Sequence, residues 1–155
     1  MKRYYSVRII LFVMLLIWMA GIVFPVLTNS SRLMIFTPFI KKLYTNVCHQ
    51  ESYKCISING RQFLVCSRCF GLYFGALVAS FLSLFIRLDP KGLFKYFLLS
   101  LIILFADIFS YNIGLYSYSK YIASVTGIFS GSILFIYILN QIEIHLLTLI
   151  PTDEK

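Results

Sequence analysis

Long apolar runs alternate with short polar stretches along this chain. The runs cover Ile9–Leu27, Phe70–Ile86, Leu93–Phe109 and Tyr121–Leu139. Helices of roughly 17–25 such residues are what a hydrocarbon core of roughly 30 Å requires. The second run carries Gly71, Gly75 and Ala79 at four-residue spacing, and the fourth carries Gly127 and Gly131. Small residues so spaced give helix faces that allow close backbone approach. Past Asn140 the helical spacing continues through Ile142, Leu146, Leu149 and Ile150 and stops at Pro151, so the fourth helix is expected to carry an interfacial tail. Between the second and third runs, Arg87–Gly92 forms a polar turn in which Asp89-Pro90 breaks the helix.

Residues 28–69 form the one sizeable polar segment, and it has its own pattern. Thr37-Pro38 predicts a helix start, with threonine as the N-cap and proline at the first helical position. Phe39, Ile40, Leu43, Tyr44 and Val47 then fall on one face, opposite Lys41, Lys42, Thr45 and Asn46. That pattern predicts a short interfacial helix ending at Cys48 and His49. Asn59-Gly60 between alternating residues predicts a tight hairpin. A two-residue turn pairs Ile58 with Arg61, Ile56 with Phe63 and Cys55 with Leu64. Cys66 then lies diagonal to Cys55, about 7–8 Å away at Cα. The expected fold is an all-α integral membrane protein, a single domain over 1–155. It has four transmembrane helices (9–27, 70–86, 93–109 and 121–139) and a Cys/His subdomain over 37–69.

Composition supports this class. The 155 residues are 59% hydrophobic and 13% charged, with a mean hydropathy of +0.84. A soluble domain is about a quarter charged, so this chain cannot cover its apolar surface in water. The net charge of +8 then belongs to headgroups and topology rather than to nucleic acid. No A-x-A-like site follows the first run, which is therefore read as a retained span rather than a signal peptide. Basic residues divide evenly between the two sides. The dense positive charge of the Arg87–Lys95 connection tips the orientation toward both termini in the cytoplasm of a multi-pass plasma or inner membrane protein. The cysteine segment is then extracytoplasmic, where disulfides persist. The aromatics read as lipid-facing or belt residues.

All four cysteines lie within residues 48–69, beside His49. Zinc takes thiolate and imidazole ligands in tetrahedral geometry, and Cys-x-x-Cys supplies two of them from one turn. Cys48, His49, Cys66 and Cys69 are the expected ligands. Adjacent residues seldom bind one ion together, so Cys55 is a substitute ligand. A Cys-x-x-Cys at a helix N-terminus beside Arg68 also suits thiol–disulfide exchange, and structural disulfides or simply buried thiols are the bland reading. Asp107 lies inside an apolar run, where a carboxylate needs a partner or a wet cavity. Arg68, Arg87, Lys120 or a bound metal are its candidate partners, and Ser110, Asn112 and Thr126 its candidate neighbours. Glu51 follows Cys48-His49 closely and could serve as a general base beside a metal; an exposed loop glutamate is the commoner reading of such a position. Thr126 more often bonds to its own helix, and His145 reads as an ordinary interfacial histidine.

Cys48-His49-Gln50, followed by Cys66, Arg68, Cys69, Gly71, Tyr73 and Gly75, resembles the uncharacterised membrane proteins grouped as domain of unknown function family 2085. The acid at Asp107 and the Thr126-Gly127…Gly131 pattern extend the resemblance across roughly residues 40–135. Ala123 departs from the arginine that the family often carries there. The resemblance implies no activity. Three readings remain open, and with them whether the chain is an enzyme. The first is a zinc-site membrane protein, structural or hydrolytic toward a lipid-like substrate. The second is a membrane thiol oxidoreductase. The third is a non-catalytic scaffold or transport subunit.

Overall fold

The structure is a computed structural model and describes residues 2–27, 36–86 and 92–148, with side chains for 5–27, 36–86 and 92–145. The first apolar run extends into helix α1, Lys2–Leu27. A short helix, α2, covers Thr37–Thr45. A single 3₁₀ turn, Ser52–Lys54, then leads into strands β1, Cys55–Ile58, and β2, Arg61–Cys66. Helices α3 (Ser67–Ser83), α4 (Leu93–Asn112) and α5 (Lys120–Thr148) follow. The fold is thus mostly helical, with one two-stranded antiparallel hairpin. Among the described residues, Tyr5–Leu27, Leu93–Asn112 and Lys120–His145 are long and apolar enough to cross a membrane. Helix α3, at 17 residues, is a shorter apolar helix. It starts before Phe70 and stops before Ile86, the expected limits. The expected tail is continuous with α5 as far as Thr148. The Arg87–Lys91 turn and Pro151 lie outside the described residues.

The glycine faces of the second and fourth runs meet each other. A Cβ added at Gly71 would strike the carbonyl oxygen of Ser124, and one at Gly75 that of Ile128. A Cβ at Gly127 would strike the carbonyl of Arg68, and one at Gly131 that of Leu72. Helices α3 and α5 therefore touch backbone to backbone, the close approach that small residues permit. Ser132 adds a hydrogen bond from its hydroxyl to the Gly75 carbonyl, 3.0 Å. Helix α4 joins α5 through the Ser130 hydroxyl, which donates to the Ser100 carbonyl at 3.1 Å, and through stacked Phe97 and Tyr137 rings 4.6 Å apart.

The hairpin forms at the expected turn, with positive φ at Asn59 and Gly60. Its register differs from the expected one. Ile58 faces Arg61 and Ser57 faces Gln62, but Cys55 then faces Cys66. A bulge absorbs the difference. Its cause is burial: Phe63, Leu64 and Val65 are all buried in succession. Strict alternation would turn one of them outward. They pack with Met19, Ile22, Tyr44 and Cys48 into one core at the end of α1.

Helix α2 also departs from expectation at its start. Phe36, not Thr37, is the N-cap, and no side chain caps the helix. Its apolar residues split between two faces. Tyr44 is buried and Ile40 packs against the core, whereas Phe39 and Leu43 stay exposed. The reason is the narrow contact with α1: the Tyr44 hydroxyl donates to the Trp18 carbonyl at 2.7 Å, and its ring lies where a side chain at Gly21 would stand.

A Gly131→Val chain must part α3 from α5. It is expected to lose stability at the upper end of the ~1–3 kcal/mol typical of overpacking, read as an earlier thermal transition of the detergent-purified protein.

Candidate metal centre

Helix α2 ends where the Tyr44 carbonyl accepts from both Val47 and Cys48 backbone N–H groups, at 3.1 and 3.0 Å. This closure turns the buried Cys48 side chain toward the hairpin. Gln50 then reverses the chain with φ 54, and its side-chain amide donates back to the Lys41 carbonyl at 3.2 Å. On the other side, β2 runs directly into α3. Cys66 is the N-cap residue of α3, in an extended conformation, and Cys69 sits in its first turn. The ligand atoms of Cys48, Cys66 and Cys69 lie within 4.8 Å of one another. The Cys66 backbone N–H donates to the Cys48 sulfur at 3.3 Å.

This arrangement concentrates negative charge on Cys48. The Cys66 and Cys69 thiols donate to it, as do the Cys66 and Gln50 backbone N–H groups, and together they hold its thiol far below the ordinary range. Cys66 is held above that range by the same bond seen from the donor's side. Cys55 lies directly across the ladder from Cys66 yet outside the three-sulfur group. Burial pushes its thiol up to about 11. All four cysteines are free thiols.

A cleft of 290 Å³ opens beside the sulfurs. His49, Glu51, Lys54 and Arg68 line it with the three cysteines. The His49 ring is exposed on this rim and does not join the sulfur group. Glu51 pairs with Lys54 at 2.6 Å, and that bond lowers the Glu51 carboxyl below its usual value. The Lys54 ammonium also lies 5.1 Å from the Tyr53 ring, 4.9 Å from Tyr111 and 5.8 Å from Tyr118. Such cation–π contacts tie the rim of the cleft to the end of α4.

Asp107 finds its partner on α3. Arg68 reaches it through Nε at 3.0 Å and a terminal nitrogen at 2.5 Å, and the Tyr116 hydroxyl donates to its other oxygen. Both carboxylate oxygens are thus engaged. Arg68 was among the candidate partners in the sequence, but nothing there pointed to Tyr116. Thr126 bonds to its own helix, at Ile122 and Ala123 carbonyls. His145 lies at the other end of the bundle, just past Glu143. There Glu143 pairs with the buried Arg8 at 2.6 Å, and Arg8 also donates to the Ser83 carbonyl that ends α3. No local pattern marks this second pair, because its members stand near opposite ends of the chain.

Apolar helices with a thiol cluster at one end of the bundle define a small helical membrane protein with a site that could hold a metal. Residues 48–137 match the family described as a predicted membrane protein (DUF2085), more than half of the chain, and the chain belongs to that family. It is also similar to the uncharacterized protein MJ1492 of Methanocaldococcus jannaschii, with 31% identity over 146 residues, 90% of this chain and 92% of the relative. No solved structure matches it.

The Arg68–Asp107 side chains are only 18% and 5% exposed. Removing one partner strands a charge, so Asp107→Asn is expected to lower stability by about 3–5 kcal/mol. The double Arg68→Met/Asp107→Leu chain should recover much of that loss. Chemical denaturation in detergent, read as a double-mutant cycle, measures the coupling.

Proposed function

We propose that this chain is a four-span membrane protein that holds one zinc ion through Cys48, Cys66 and Cys69 at the bilayer surface. The observation that carries the reading is the convergence of three sulfurs from two separate segments within 4.8 Å. Zinc–sulfur bonds of about 2.3 Å in tetrahedral geometry leave ligand sulfurs ~3.8 Å apart, so a small contraction would close the site. The Cys66 N–H on the Cys48 sulfur is the kind of outer contact that orients a ligand. The fourth position belongs either to His49, which the rim presents beside Cys48, or to a water in the cleft.

Zinc in a closed site would staple the end of α2 to the β2–α3 junction. In an open site it would supply Lewis acidity and an acidified water. Glu51 is then the better placed base, because it lines the cleft while Asp107 is engaged by Arg68 and Tyr116. The role of Asp107 in this reading is to position Arg68. Four spans need α3 to cross as well. Its two flanking arginine pairs favour that, since each would sit near a boundary. Both termini are placed in the cytoplasm of the plasma or inner membrane, on the charge of the α3–α4 connection.

One observation favours the thiol-exchange reading: the Cys48 sulfur accepts the Cys66 backbone N–H at 3.3 Å and lies within 4.8 Å of both sulfurs of a Cys-x-x-Cys. Elemental analysis and alkylation mass spectrometry of the detergent-purified chain separate the two. The zinc reading expects about one zinc per chain and thiols that label after chelation. Cys48→Ser, Cys66→Ser and Cys69→Ser should each lose the metal, while Cys55→Ser keeps it. Metal-free protein whose thiols label only after reduction would replace zinc by redox chemistry. A scaffold role predicts that Cys66→Ser/Cys69→Ser leaves cellular function intact.

A further inference from the structure

We propose that a second cavity, on the other side of Gln50 from the sulfurs, binds an anionic phospholipid by its phosphate and the first part of an acyl chain. The cavity measures 410 Å³ and lies where the end of α1 meets α2 and β2. That volume falls in the range of small-molecule sites, roughly 300–1,000 Å³. Pro25, Phe63 and Leu64 give it an apolar lining. Lys41 and Arg61 line it as well, and no acidic side chain does so among the described residues. Gln50 and Gln62 add amide-bearing residues to the lining. An apolar lining with two cations and two amides complements an amphiphile with a negative head.

The depth of the cavity favours a lipid over a soluble phosphate. Pro25 lies in the last turn of α1, and α1 is apolar enough to span a bilayer as far as Leu27. The last turn of a span stands at the boundary between hydrocarbon and headgroups. Phe36 and Phe39 of the neighbouring helix α2 are 57% and 70% exposed, an apolar shoulder suited to that same boundary. Lys41 projects from the same helix. Two other cavities among the described residues fit less well: the sulfur cleft carries Glu51, and the cavity at Arg8 holds only 20 Å³.

Gln50 lines both cavities, and its side-chain amide donates a hydrogen bond to the Lys41 carbonyl at 3.2 Å. The binding itself rests on the membrane reading of α1 and not on the metal.

Native mass spectrometry of the full chain, loaded with equimolar phosphatidylglycerol and phosphatidylcholine, tests the assignment. The wild type should retain phosphatidylglycerol preferentially. Lys41→Gln/Arg61→Gln should weaken that retention by about thirtyfold, the yield of two basic side chains near an anionic surface. Gln62→Trp fills the cavity while keeping both cations, and should abolish retention; it carries the test should the double variant not fold. Equal retention of the two lipids by the wild type would overturn the proposal. So would undiminished retention by folded Lys41→Gln/Arg61→Gln or by Gln62→Trp. Displacement by glycerophosphate at equal concentration would make this a free-phosphate site and overturn the lipid assignment. Metal-depleted wild-type protein should keep its preference, so the zinc reading and the lipid site fail separately.

Discussion

Backbone contact between α3 and α5 sets the height of everything else. With Gly71 and Gly75 on one helix and Gly127 and Gly131 on the other, each chain presents main-chain atoms where side chains would otherwise hold them apart. Such a contact tolerates little sliding, because each glycine admits one carbonyl of the partner. Helix α3 is fused to β2 without a linker, so fixing α3 along α5 also fixes Cys66 and Cys69. Cys48 arrives by another route. It hangs from α2, and α2 is moored to α1 through Tyr44 and Trp18. The sulfur cluster is the point where these two constraints agree.

Charge secures both ends of the same helix. At about 1.5 Å per residue, α3 spans about 25 Å, short of a typical hydrocarbon core of roughly 30 Å. In the four-span reading, polar groups at its ends must therefore be satisfied by protein. Arg68 and Asp107 do this at the sulfur end, and Arg8 does it at the other, where it serves both Glu143 and the Ser83 carbonyl. Four long-range charges resolve into two local pairs. The bundle gains a fixed register from them, since shifting α3 by one turn would part Arg68 from Asp107 and the Ser83 carbonyl from Arg8.

Much of this was legible in the chain because it is periodic. Apolar runs gave the helices, four-residue glycine spacing gave the faces that meet, and Asn59-Gly60 gave the turn. The failures share a cause: each depends on tertiary burial rather than local pattern. Phe63-Leu64-Val65 all go inward, so the strand bulges and brings Cys66 opposite Cys55. Tyr44 rotates α2 toward Trp18 and leaves Phe39 outside. In the site, Cys48, Cys66 and Cys69 converge as their soft-ligand chemistry implied, but His49 stays on the rim. Neighbouring residues in a reversing chain point apart, and Cys48 holds the inward place.

The position of Cys55 bears on how many thiolates such a centre can hold. Three thiolates and one divalent ion sum to a single negative charge. Of the cations that line the cleft, Lys54 is matched by Glu51 and Arg68 by Asp107. A fourth thiolate would double the uncompensated charge beside a buried core, and burying unpaired charge is costly. Cys55 is fully buried and its thiol is pushed up to about 11, so its environment already resists ionisation. Electrostatics therefore favours three sulfurs with a neutral fourth ligand, imidazole or water, over a four-cysteine site. In the zinc reading, the cleft side of the cluster would be the side from which a neutral ligand enters.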